Sequence, residues 1–181
     1  MLVRHRLAAL LLASVLLTAG CSDPAPAASP TAPAKTAAPT ETASDEAVFR
    51  EAEAAYRAYV DALNAVDLAD PATFEPVFAL TTGELRSSEE ASLMSYHLQN
   101  ARRTGKAEVI DVIPDQTDNV VATVFVCMDL SGVLVTAADG SSMVDATRSD
   151  RQQFSVRLAR AEADDQLKVA AMAAYSHGPA C

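Results

Sequence analysis

The stretch FREAEAAYRAYVDALNAV, Phe49 to Val66, decides how the rest of the chain is read. Its larger apolar residues, Phe49, Ala52, Tyr56, Tyr59, Leu63 and Val66, recur at spacings of 3, 4, 3, 4 and 3, which places them on one face of a helix about five turns long. Such a helix needs a broad apolar surface to lie on. Ser44 supplies an N-cap, and Asp45, Glu46 and Glu51 set negative charge near the positive end of the helix dipole. Asp70-Pro71 stops the helix, because the residue before a proline is pushed out of the α region.

Downstream, a short helical piece is expected from Thr73 to Leu80, kinked or begun at Pro76. Ser87-Ser88-Glu89-Glu90 reads as cap chemistry for another helix running to about Arg103 and ending at Gly105. Beyond Gly105 the period changes from helical to alternating. Lys106–Ile113, Asn119–Met128, Gly132–Thr136, Gln152–Ala161 and Gln166–Ser176 read as strands, with turns at Pro114–Asp118, Ala138–Gly140 and Glu162–Asp165. The last strand is alanine-rich, and on propensity alone it also suits a helix. Helices first and an antiparallel meander after make an α+β domain, with the sheet curling over the long helix.

Upstream the chain carries an address. Arg4, His5 and Arg6 precede an apolar run from Leu7 to Leu17 that is too short to cross about 30 Å of hydrocarbon, and small residues follow, so residues 1–20 read as a cleaved secretory signal. Leu17-Thr18-Ala19-Gly20-Cys21 resembles the lipobox of bacterial lipoproteins. That resemblance implies acylation of the Cys21 thiol and a lipid anchor holding the chain at the extracytoplasmic face of the cell membrane. The alternative is a secreted protein cut after Ala25 or Ala27. Residues 21–44, rich in Ala, Pro, Thr and Ser, bury too little apolar surface to offset their ordering entropy and are expected to be a disordered tether, leaving 45–181 as the globular domain.

With Cys21 acylated, two of the three cysteines remain, in a compartment where disulfides persist. Cys127, near the end of a core strand, and Cys181, the final residue, are therefore expected to bridge. A buried free Cys127 is the alternative.

Ala55 to Asn64 (AYRAYVDALN) within a long first helix, two shorter helices and a terminal meander resemble the cone-shaped nuclear transport factor 2-like superfamily. The combination with a lipobox and a Pro/Thr tether most resembles lipoproteins of high-GC Gram-positive bacteria. The superfamily resemblance implies a pocket between curved sheet and helices, used by its isomerases, dehydratases, cyclases and epoxide hydrolases through buried Asp, Tyr or His. A general acid or base needs a desolvated group within hydrogen-bond reach of its partner. Asp111, Asp129, Tyr56, Tyr59, Tyr96 and His97 are the candidates, none in a diagnostic spacing. Four of them have a simpler reading: Asp111 on a strand's polar face or near its end, Tyr56 and Tyr59 facing the core with wet hydroxyls, and His97 at the surface or the core edge.

A net charge of −10 and an aromatic content of 5% give no cationic surface and no stacking platform, so nucleic acid is set aside as a partner. Only His97 and His177 follow the signal segment, without a metal-ligand spacing, and no phosphate loop or nucleophile elbow is present, so no metal or cofactor is expected. The expected function is a non-catalytic binding or interaction module of the cell envelope. Its expected partners are the membrane through the lipid anchor, an envelope protein or a small apolar ligand, and a second copy as a homodimer. An enzyme of the cone pocket or a lipid carrier are the alternatives. The enzyme requires one buried ionisable group facing a cavity, and the carrier a large, wholly apolar one.

Overall fold

The first helix, α1 (Glu41–Asn64), presses Val48, Ala52, Tyr56, Tyr59 and Val60 into the interior. These details come from a computed structural model, which describes residues 41–176 and 181, with side chains from Ser44 onwards. Ser44 lies inside α1 and does not cap it, since the helix begins at Glu41; its hydroxyl donates instead to Asn119 Oδ1 at 3.2 Å. Asp70 accepts from the Ala72 amide and caps a 3-10 turn (Pro71–Phe74) that leads into α2 (Glu75–Ala79), with Pro76 in the first turn, where its missing N–H costs nothing. The third helix, α3 (Gly83–Leu98), buries Leu85 and Leu93.

This helix ends well before Gly105, because Arg102 and Arg103 belong to a strand. That strand, β1 (Arg102–Thr104), pairs with β4 (Leu134–Thr136) in a separate two-stranded ribbon. The main sheet has the antiparallel order β2 (Glu108–Thr117), β3 (Val121–Asp129), β5 (Arg151–Arg160), β6 (Leu167–Ala174). The fold is thus α+β, three helices packed against curved antiparallel sheet. The alanine-rich last segment is strand, held by its register with β5.

Pro114–Asp118 was expected as a turn, yet β2 runs on to Thr117. Pro114 is accommodated because β2 is an edge strand, where a missing donor breaks no ladder, and the register shifts between Pro114 and Gln116. The turn proper is tighter: Asp118 Oδ1 accepts from the Val120 and Val121 amides, and Asn119 takes a positive φ of 69°.

The alternation of β3 and β5 sorts the core. Ala122, Val124 and Val126 pair with Leu158, Val156 and Phe154 on the face that meets the helices. Cys127 and Phe125 point to the other face, where the Phe125 and Tyr175 rings stack at 4.6 Å. Glu51 on α1 clamps the β5–β6 turn: Arg160 donates to both its carboxylate oxygens, at 2.9 and 2.8 Å, and also to the carbonyls of Asn119 and Asp165.

Candidate functional site

Between α1, α3, the β1–β4 ribbon and β6 lies a cavity of about 240 Å³. Leu63, Val66, Leu68, Leu93, Val135 and Met172 make most of its wall, and Tyr59, Glu89 and Arg103 bring polar atoms into it. Tyr59 projects from the inward face of α1 and is almost fully buried, at 1% exposure. Its hydroxyl donates to Glu89 Oε1 of α3. Burial pushes the Glu89 carboxyl above its ordinary value, while the hydrogen bond from Tyr59 pulls the other way. Burial, reinforced by the Glu89 charge and hydrogen bond, holds the Tyr59 phenol far above its ordinary value. The pair therefore keeps its phenolic proton and presents a partly buried carboxyl group to a mainly apolar space.

Tyr56 packs its ring 5.9 Å from that of Tyr59 and directs its hydroxyl to Met172 Sδ at 3.8 Å, a weak acceptor. Burial raises the Tyr56 phenol as well. Arg103 reaches the cavity from β1, donating to the Leu63 carbonyl at 2.7 Å and to Asn64 Oδ1 at 3.0 Å. Desolvation lowers its guanidinium from the ordinary arginine value. These two bonds tie the ribbon to the C-terminal end of α1.

The sequence candidates separate. Tyr59 is in the cavity. Tyr96 lines it. His97 lies outside it, donating from Nδ1 to the Leu68 carbonyl at 2.8 Å with its ring edge-on to Phe74. Asp111 is exposed on the outward face of β2 and accepts from the Val112 amide, so it faces solvent and not the cavity. Asp129 accepts from the Ser131 amide and hydroxyl at the end of β3 and sits 3.7 Å from Arg151. Neither Asp111 nor His97 is among the residues that line this cavity. The carboxyl group lining the cavity is that of Glu89, partly buried, which reads in the sequence as cap chemistry. Leu85, Glu89 and Leu93 recur every four residues on α3, so Glu89 occupies a position on the apolar stripe; a carboxylate there is the signal that finds it.

Cys127 and Cys181 are at disulfide distance, Sγ to Sγ 1.98 Å and Cα to Cα 5.3 Å, which fixes the last residue to β3. Cys21 lies outside the described residues, as do His177 and the signal and tether segments up to residue 40. Among the described residues no three His, Cys, Asp or Glu side chains lie close enough to share a metal ion, and no helix is long and apolar enough to cross a membrane.

Neither the known family models nor the curated proteins contain a match to this chain. Among solved structures, one from Catenulispora acidiphila aligns with 73% of this chain and 93% of its own at 16% identity, with a TM-score of 0.48.

Proposed function

We propose that this chain is a lipid-anchored, extracytoplasmic binding module whose domain holds a small, mainly apolar ligand. The supporting observation is the cavity of about 240 Å³, walled by aliphatic side chains and carrying a few convergent polar groups, the composition of a small-molecule site. The order of long helix, short helices and meander supports a nuclear transport factor 2-like cone, a fold that carries a pocket between its sheet and helices. The lipobox at Cys21 supports the anchor. Its volume is short of the large, wholly apolar space that a lipid carrier needs.

Native mass spectrometry of the purified chain, with Leu93→Trp as the cavity-filling variant, tests the reading. Retained or added small apolar ligands are expected on the natural chain and not on L93W; equal retention by both would sink it. For the anchor, membrane fractionation is decisive. Wild type should sediment with membranes and C21A should not, and identical partitioning overturns the lipid tether.

One observation favours a second reading, an isomerase-, dehydratase- or cyclase-type enzyme: Glu89, with its raised carboxyl, faces the cavity beside Tyr59. Proton magnetic resonance of cyclohexanone in deuterium oxide separates the two. The binding module leaves solvent exchange at the carbon next to the carbonyl at the buffer rate, whereas the enzyme accelerates it and loses the acceleration in E89Q.

A further inference from the structure

Arg103 lines two adjoining spaces. It lines the apolar one together with Leu68, and the same two residues line a neighbouring cleft of about 290 Å³ that is edged by Asp67, His97, Asn100 and Arg102. A guanidinium has five N–H donors in a planar fork. Two are engaged, by the Leu63 carbonyl and Asn64 Oδ1, and both acceptors are neutral. No described carboxylate forms an ion pair with Arg103. Half-buried and without a counter-ion, it carries a desolvation cost that an anion completing the fork would offset.

The surroundings support such an anion. Arg102, one residue earlier on β1, is exposed and its side chain has no partner among the described residues. His97 gives Nδ1 to Leu68 and leaves Nε2 unengaged. The one acidic residue of the cleft, Asp67, turns Oδ1 to the Ala69 amide at 2.9 Å. The apolar cavity adjoins this cationic cleft at Arg103 and Leu68, and carries its acidic group on α3, at Glu89.

We infer that the ligand is a small carboxylic acid, its carboxylate in the cleft against Arg103 with Arg102 adding charge, its hydrocarbon body in the apolar cavity. This rests on the ligand-binding reading above. At about 240 Å³ the cavity is smaller than the usual small-molecule pocket, which suits a short hydrocarbon body and not a membrane lipid's acyl chains. The positions of Arg103 and Glu89 orient the molecule, since an ionised head is drawn to the first and repelled by the second.

Calorimetric titration of the full chain with octanoate and with octan-1-ol tests this. Octanoate is expected to bind about tenfold more tightly than the alcohol, as for a charge-assisted pair over a neutral one. R103M should erase the preference. Because Arg103 also holds Leu63 and Asn64, the exposed R102Q supplies a second variant, expected to weaken octanoate several-fold while leaving octan-1-ol unchanged. Equal affinity for acid and alcohol overturns the inference and leaves the apolar-ligand reading standing, as does a preference that survives in both variants. Binding of neither compound overturns both.

Discussion

The hydroxyl of Tyr59 on α1 hydrogen-bonds to the carboxyl of Glu89 on α3, a side-chain link between two helices that line the same cavity. Y59F leaves that partly buried carboxyl without its donor and is expected to cost about 1 kcal/mol, read as a shift in urea midpoint at constant slope. The pH dependence has a definite sign. The folded carboxyl titrates above the unfolded value, so the stability tied to its protonated form is complete below the unfolded pKa of about 4.5 and is lost as pH rises through the folded value. E89Q, which never ionises, should therefore gain on wild type between pH 4.5 and 7.5. A constant difference between the two across that range refutes the burial of a titrating Glu89.

Glu51 should behave in the opposite sense. The hydrogen-bonded Arg160 guanidinium holds its carboxyl below the ordinary value, so its contribution is present above the unfolded pKa and is lost as pH falls through the folded one. The pair is partly exposed, which limits its worth to about 1 kcal/mol even with two-point geometry. E51Q is expected to lower stability by that amount at pH 7 and by nothing measurable near pH 2, as followed by chemical unfolding at both values.

The bridge from Cys127 to Cys181 closes a separation of 54 residues. Loop-closure entropy for that length is about 4 kcal/mol, a large part of a domain's usual 5–15. C181A should lose most of it in a denaturant titration, and a reducing agent should bring wild type to the same midpoint while leaving C181A unmoved.

Gly105 and Gly140 both take left-handed backbone, at φ of 75° and 86°, in different surroundings. A Cβ on Gly105 would lie 1.7 Å from the Gly132 carbonyl oxygen, whereas one on Gly140 meets nothing within 4 Å. G140A should cost roughly 1 kcal/mol for the backbone conformation alone. G105A should cost at least about 2 kcal/mol more, because the β1–β4 ribbon has to move, and with it Arg103 and Val135 in the cavity wall. Similar melting temperatures for the two variants would show that the close approach to Gly132 is absent in solution.

Much of the architecture was legible in the residue pattern. The helical period of Phe49 to Val66 and the two-residue alternation of Phe154, Val156 and Leu158 each arise from local geometry that a sequence records directly. The β1–β4 ribbon was not legible: Arg102-Arg103-Thr104 has no apolar alternation, and its pairing with Leu134–Thr136 is set across 32 residues by contacts that neither segment displays alone. Pro114 misled for a related reason, since only the strand order reveals that β2 lies at an edge. The site divided similarly. Tyr59 was recognisable as a buried polar residue on a helical stripe, but its partner was obscured because Glu89 sits beside Glu90, and two adjacent acids near a serine pair resemble a helix cap.

Pro114 has a consequence for the addition of foreign strands to the sheet. An open sheet has two borders at which a foreign strand can add, and both are obstructed here. On one, the Leu80–Thr82 segment occupies β6 through the Thr82 amide to the Val169 carbonyl at 2.9 Å and the Val169 amide to the Leu80 carbonyl at 3.0 Å. On the other, the proline and two register shifts break the regular row of donors along β2 that a growing fibril would copy. A sheet rich in valine and alanine thus resists strand-by-strand polymerisation by the shape of its borders, even where many copies are crowded together.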